Sequence, residues 1–204
     1  MSNLNNTNLL IRKSAFETNS SSCHVLTIGK SNKNRDELYL RKEDDGHLYI
    51  ATYLDDYHWG YELLNDVTGR LSYILSSLTD FNNSYNRNYF YRLIRELKDY
   101  LYEQKIENVN GLLVDGIKVT WEDFNNFGYE LKEIDIDKFI AHVGNQGSID
   151  HESCGAFAAA FNSDDSVINF LFNSGSSVLV YNDNTDDLDE RIKEVEAIAE
   201  SDIC

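Results

Sequence analysis

Positions 18–24 read TNSSSCH, so a threonine, an asparagine, three serines and a histidine fall within seven residues. Hydroxyls and successive backbone N–H groups in such a stretch suit an anion, and a histidine beside them can move a proton near neutral pH. This predicts phosphate or acyl chemistry, with Ser20, Ser21 and Ser22 as ligand-binding or nucleophilic hydroxyls and His24 as acid or base. The competing reading is a polar loop whose side chains bond their own backbone.

Two further segments carry similar potential. In IDHESC (149–154), Asp150 stands beside His151 and can orient or charge its imidazole, while Glu152 adds a carboxylate. The alternative is a helix start, with Asp150 as N-cap and Ser153 capping the next segment. Asn182-Asp183-Asn184 leaves the apolar run SVLVY, and its oxygens suit a ligand, a hard cation or a plain turn. Cys23, His24, His151 and Cys154 have the types of a zinc site, with His151 and Cys154 at i, i+3 on one helix face. Cys23 and His24, however, are neighbours at the start of a predicted strand and belong to opposite faces, so no metal is expected. No motif identifies a cofactor: G-x-S-x-G, a phosphate loop ending in GK[ST], H-E-x-x-H and G-x-G-x-x-G are all missing. His47, His58 and His142 have no suggestive neighbours.

Such residues work only if strands and helices hold them. CHVLTI (23–28) is short, apolar and β-branched, and DELYLRK (36–42) and HLYIATYL (47–54) alternate around a DDG turn, which predicts an N-terminal β-meander. Leu64, Val67, Leu71, Ile74, Leu75 and Leu78 repeat at helical spacing, weakened by Gly69 in the middle, and Phe90, Leu93, Ile94, Leu97 and Leu101 repeat again. An αα-hairpin is the expectation. VNGLLVDGIKVTW (109–121) predicts strands turning at Asp115-Gly116. CGAFAAAF (154–161) and SVINFLF (166–172) predict short buried helices before the strand SVLVY (177–181). Asp187 and Glu190 form a capping box for an acidic amphipathic C-terminal helix through Leu188, Ile192, Val195 and Ala199. With residues 1–10 read as a flexible N-terminus and no second core in view, residues 11–204 are expected to form one α+β domain.

Composition narrows the function classes. Of 204 residues 42% are hydrophobic and 12% aromatic, enough for a real core. Lys and Arg total 18 against 35 Asp and Glu, a net charge of −17 that repels phosphate backbones, so direct DNA binding is not expected. The basic residues Arg87, Arg92, Arg95 and Lys98 are interrupted by Glu96 and Asp99 and predict a mixed helix face. No apolar run spans a membrane and no signal peptide opens the chain, and three scattered cysteines fit a reducing compartment, so a cytoplasmic protein is predicted. Twenty-two asparagines and no proline suggest an AT-rich genome, such as that of a low-GC bacterium or its phages.

The combination FETNSSSCH, WGYELL…RLSYIL, IDHESC and NFLFNSGSSVLVYNDN resembles a group of uncharacterised phage and prophage proteins of low-GC bacteria, which carry ETNSSS-x-H, IDH-x-S and F-x-F-N…S…N-D-N in that order. The resemblance supplies no mechanism. It implies that Glu17, Asn19, Ser20, Ser21, Ser22, His24, Asp150, His151, Ser153 and Asp183 form one constellation, and it places Cys23 and Cys154 in variable slots. The expected function is a phage-type accessory protein, in the host cytoplasm, whose polar pocket binds an anionic or nucleotide-like ligand, with hydrolase or transferase chemistry. His24, His151, Asp150 and Ser22 would be its catalytic set, the two histidines within roughly 10 Å of a common group. The alternative is an acidic, non-catalytic inhibitor that imitates DNA towards a basic host defence enzyme. A purely structural role for the polar segments is the third reading.

Overall fold

The computed structural model describes residues 9–10, 22–28, 36–57, 62–78, 84–122, 148–149, 164–182 and 193. In chain order the elements are β1 (Leu9–Leu10), β2 (Ser22–Thr27), β3 (Leu40–Lys42), β4 (Leu48–Thr52), β5 (Asp56–Tyr57), β6 (Glu62–Leu64), α1 (Val67–Ser77), α2 (Ser84–Glu103), β7 (Val109–Val114), β8 (Ile117–Thr120), β9 (Ser148–Ile149), α3 (Asp164–Phe172) and β10 (Ser177–Asn182). The class is α+β, as the sequence predicts. The chain divides into two compact units whose segments interleave, residues 1–37, 58–70 and 150–204 in one, 38–57 and 71–149 in the other.

The first unit is built on an antiparallel sheet in the order β1-β2-β10-β6. Val178, Leu179 and Val180 on β10 are all buried, so this central strand is covered on both faces and reads as an unbroken apolar run. α3 leads into it through Asn173, whose Oδ1 accepts the Gly175 N–H at 3.0 Å while its carbonyl accepts the Ser176 N–H at 2.9 Å. That asparagine turn replaces the proline the chain lacks. β2 pairs with β1 and β10 and not with β3, so the predicted N-terminal meander is reduced to the β3–β4 hairpin. The reason is that a long-range partner, the apolar run 178–180, competes with the neighbour in sequence.

α1 opens at Asp66. Its Oδ1 accepts the Gly69 N–H at 2.7 Å, and its carbonyl accepts the Arg70 N–H at 3.0 Å, the pattern of an N-cap. Gly69 therefore lies in the first turn and not mid-helix, where a Cβ would come within 3.2 Å of Leu64.

The second unit carries a mixed sheet in the order β3-β4-β7-β8. β3 and β4 are joined by the expected DDG turn, with Gly46 left-handed (φ 84°) and the Glu43 N–H donating to the His47 carbonyl at 3.0 Å. β4 and β7 are parallel, which requires a long crossover, and the chain between them includes α1 and α2. β7 and β8 turn at Asp115 (φ 50°) and Gly116 (φ 81°), two left-handed residues as a type I′ hairpin needs. Asp115 also reaches β4's far end: its Oδ2 accepts the Leu54 N–H at 3.0 Å and its N–H donates to the Thr52 carbonyl at 3.2 Å. The predicted stripe of α2, Phe90, Leu93, Ile94, Leu97 and Leu101, is buried. On its more open side Arg92 pairs with Glu96 at 2.6 Å, consistent with the mixed face. The CGAFAAAF segment and the C-terminal acidic helix lie outside the described residues.

Candidate functional site

In the sequence each of the three polar segments adjoins a strand: β2, β9 or β10. β2 and β10 pair over six residues, from Thr27 opposite Ser177 to Ser22 opposite Asn182, with His24 opposite Val180. The chain thus enters β2 after TNSS and leaves β10 into NDN at the same end of one antiparallel ladder. Leu26 stands two positions beyond His24 on β2 and is buried, as is Val180 opposite His24. A slip by one residue would exchange the faces of the whole strand.

The third segment leaves β9 in the second unit. β9 runs parallel to β5, with Ser148 opposite Asp56 and Ile149 opposite Tyr57. Tyr57 is buried; its hydroxyl shares a hydrogen bond of 2.7 Å with Ser72, and its ring lies 5.5 Å from that of Tyr73. One turn along α1, Ser76 accepts the Asp55 N–H at 3.2 Å. Ser72 and Ser76 share a helix face, and both are buried, so hydroxyls inside an apolar helix serve to hold the strand from which the parallel partner of Ile149 is built.

Of the predicted site residues, Ser22 and His24 are therefore placed on β2. Glu17, Asn19, Ser20, Ser21, Asp150, His151, Ser153 and Asp183 lie outside the described residues, and so does the expected approach of His24 to His151. Among the described residues no group of three His, Cys, Asp or Glu could hold a metal ion, and no helix is long and apolar enough to cross a membrane.

Sequence reasoning missed a charge that is buried and fully bonded among the described residues. Arg70 is fully buried in the first unit, and all five of its donors are used. Nε and Nη2 donate to the Leu171 carbonyl at 3.0 and 2.7 Å, Nη1 to the carbonyls of Asn65 and Ser176 at 2.8 and 2.5 Å, and Nη2 also to Asp36 Oδ2 at 2.5 Å. With no donor left over, this guanidinium is an anchor for α3 and β10 and not a seat for an anionic ligand. The one signal in the sequence is a single charge inside the apolar helix pattern GRLSYIL.

Comparison with protein-family models, with curated proteins and with solved structures gave no match.

Proposed function

We propose that the protein is a phage-type accessory protein that binds an anionic or nucleotide-like ligand between TNSSS, DHES and NDN and acts on it as a hydrolase or transferase. Ser20 to Ser22 and their backbone N–H groups hold the anion, His24 and His151 move protons, Asp150 orients His151, and Asp183 contacts the ligand. The observation that carries this reading is the pairing of Ser22 with Asn182, which gives two of the three segments a common point of departure. A paired strand end is a better platform than a free loop, because less of it must be ordered when a ligand binds.

Titration of the full chain with inorganic phosphate and with nucleoside mono- and triphosphates tests it. Binding of at least one of them is expected, with loss of about tenfold or more in affinity in Ser22→Ala and loss of turnover in His24→Ala and His151→Ala while the circular dichroism spectrum is kept. Unchanged binding in Ser22→Ala together with full function in both histidine variants in a phage-fitness assay would refute the proposal.

A further inference from the structure

Val180 stands between two ionisable residues. It pairs with His24 of β2 on one side and with Glu62 of β6 on the other. Directly opposed residues of antiparallel strands share a face of the sheet, and residues two apart on one strand return to it. One face of the first unit's sheet therefore carries Ser22, His24 and Leu26 from β2, Val178, Val180 and Asn182 from β10, and Glu62 and Leu64 from β6.

That face is sorted along the strands. The row Leu64, Val178 and Leu26 is apolar and buried, and Leu10 of β1 extends it opposite Leu26. The next row has Glu62 and His24 at its two ends, and the row beyond holds Asn182 and Ser22. Polar positions thus gather at the end of the ladder where TNSS enters and NDN leaves. A charge on an edge strand such as β6 also blocks pairing with a foreign sheet, but that role is served from either face. Glu62 is half-buried and engaged within the protein, as a carboxylate that holds an imidazole must be. Among the described residues of the four strands, His24 is the other ionisable group on this face. Arg70, with Asp36 and Asp66 beside it, bonds the Ser176 carbonyl at the opposite end of β10.

We propose that Glu62 is the positioning residue of His24: its carboxylate accepts a hydrogen bond from one imidazole nitrogen across Val180, fixes the ring and strengthens its hold on a proton. The inference deepens the ligand-binding reading of Ser22 and His24 and rests on it. Residues two strands apart are separated by about 10 Å, the span of an imidazole, a hydrogen bond and a glutamate side chain laid end to end. A neighbouring carboxylate favours the charged form of histidine, and the bond made by one ring nitrogen decides what the other presents. The other nitrogen then serves the Ser22 side of the face. It offers an anion a local positive charge in a chain of net charge −17, and a proton to give.

Proton NMR of the full-length chain, with the His24 signal assigned by its loss in His24→Ala, follows this imidazole from about pH 5 to about pH 9. Glu62→Gln keeps the shape and drops the charge. It is expected to weaken proton binding at His24 about tenfold, against less than about twofold for Glu37→Gln, an exposed carboxylate of the same unit. Titration with inorganic phosphate and adenosine monophosphate reads the consequence: Glu62→Gln should bind about fivefold more weakly than wild type near pH 7.5 and equally near pH 5.5, where the imidazole is protonated in both. Equal effects of Glu62→Gln and Glu37→Gln on the His24 titration, or weakening of the anions by the same factor at both pH values, would overturn the proposal even if the anions bind. Wild type that binds neither anion, with the tenfold effect at His24 intact, would instead refute the ligand reading and uphold the pairing. If Glu62→Gln does not fold, the imidazole nitrogen shifts of wild type decide: a single neutral tautomer supports the pairing and a mixture of tautomers overturns it.

Discussion

The guanidinium of Arg70 donates to Oδ2 of Asp36 at 2.5 Å, while the Asp36 N–H donates to the Phe172 carbonyl at 2.8 Å. Since Arg70 also bonds the Leu171 carbonyl, both residues are held by consecutive carbonyls at the end of α3. Burial pushes the Arg70 pKa down and the Asp36 contact opposes this, but an arginine stays charged across the working range. Arg70→Met fills much of the volume and strips hydrogen bonds from the carbonyls of Asn65, Leu171 and Ser176. A loss of about 3 kcal/mol is expected. Asp36→Asn should cost about 1 kcal/mol, because the Asp36 side chain is partly open to water. Urea unfolding followed by circular dichroism measures both, and equal stability of Arg70→Met and wild type would remove Arg70 from the forces holding this unit.

Gly111 is sensitive for a different reason. A Cβ there would stand 1.9 Å from the carbonyl oxygen of Val119, and backbone cannot rotate aside as a side chain can. The register of β4 on β7 shifts just before it, where Leu48 faces Val109 but Tyr49 faces Gly111, so Asn110 is the extra residue of a bulge. Its amide donates to the Tyr49 hydroxyl at 3.2 Å. Gly111→Ala must separate β7 from β8 and is expected to destabilise by about 3 kcal/mol. Asn110→Ala, which removes one partly buried hydrogen bond, should cost about 1 kcal/mol. A thermal melt that ranks the two the other way would mean that the sheet absorbs the added methyl.

The start of α1 yields a milder test. Asp66→Ala leaves the Gly69 N–H without its acceptor, at a cost of about 1 kcal/mol, whereas Asp66→Asn or Asp66→Ser keeps an acceptor and most of the stability. Equal losses in all three would indicate that the Asp66 charge, and not the hydrogen bond, supports the helix.

What the sequence makes legible is local. The stripes of α1 and α2, the DDG and Asp115-Gly116 turns and the apolar run of β10 come from period and turn chemistry, each settled within about ten residues. The pairing of β2 with β10 joins residues about 150 apart, and no periodicity says which apolar run will meet CHVLT. Gly69 looks like a flaw mid-helix because the pattern from Leu64 suggests an earlier start, and the cap at Asp66 moves it to the first turn. Arg70 is illegible because a charge in an apolar stripe reads as exposed until acceptors from distant segments are assembled around it. Of the candidate site, the ladder end at Ser22 and Asn182 is the part the fold places.

Acid should loosen the β3–β4 turn in a defined window. Asp45 Oδ1 accepts the His47 N–H at 3.0 Å, Oδ2 accepts the Tyr49 hydroxyl at 2.8 Å, and the Lys118 ammonium lies 3.1 Å away. The His47 bond first, then the Tyr49 bond, hold the Asp45 carboxyl down at about 2, below the roughly 3.9 of an unfolded aspartate. A depressed carboxyl pKa stabilises the fold above the unfolded value and loses that contribution as pH falls through the folded one, so the window runs from about pH 4 to about pH 2. Lys118, bonded first to Asp44 and then to Asp45, shifts the opposite way, and its contribution is complete below the unfolded lysine value near 10.4. It therefore does not titrate in the acid window while the turn is intact. Wild type should lose melting temperature steadily across that window, and Asp45→Asn, which keeps one acceptor and drops the charge, should fall less steeply, so that the two curves converge near pH 2. Parallel curves would show that other carboxylates set the acid limb and that the turn is held by its hydrogen-bond geometry alone.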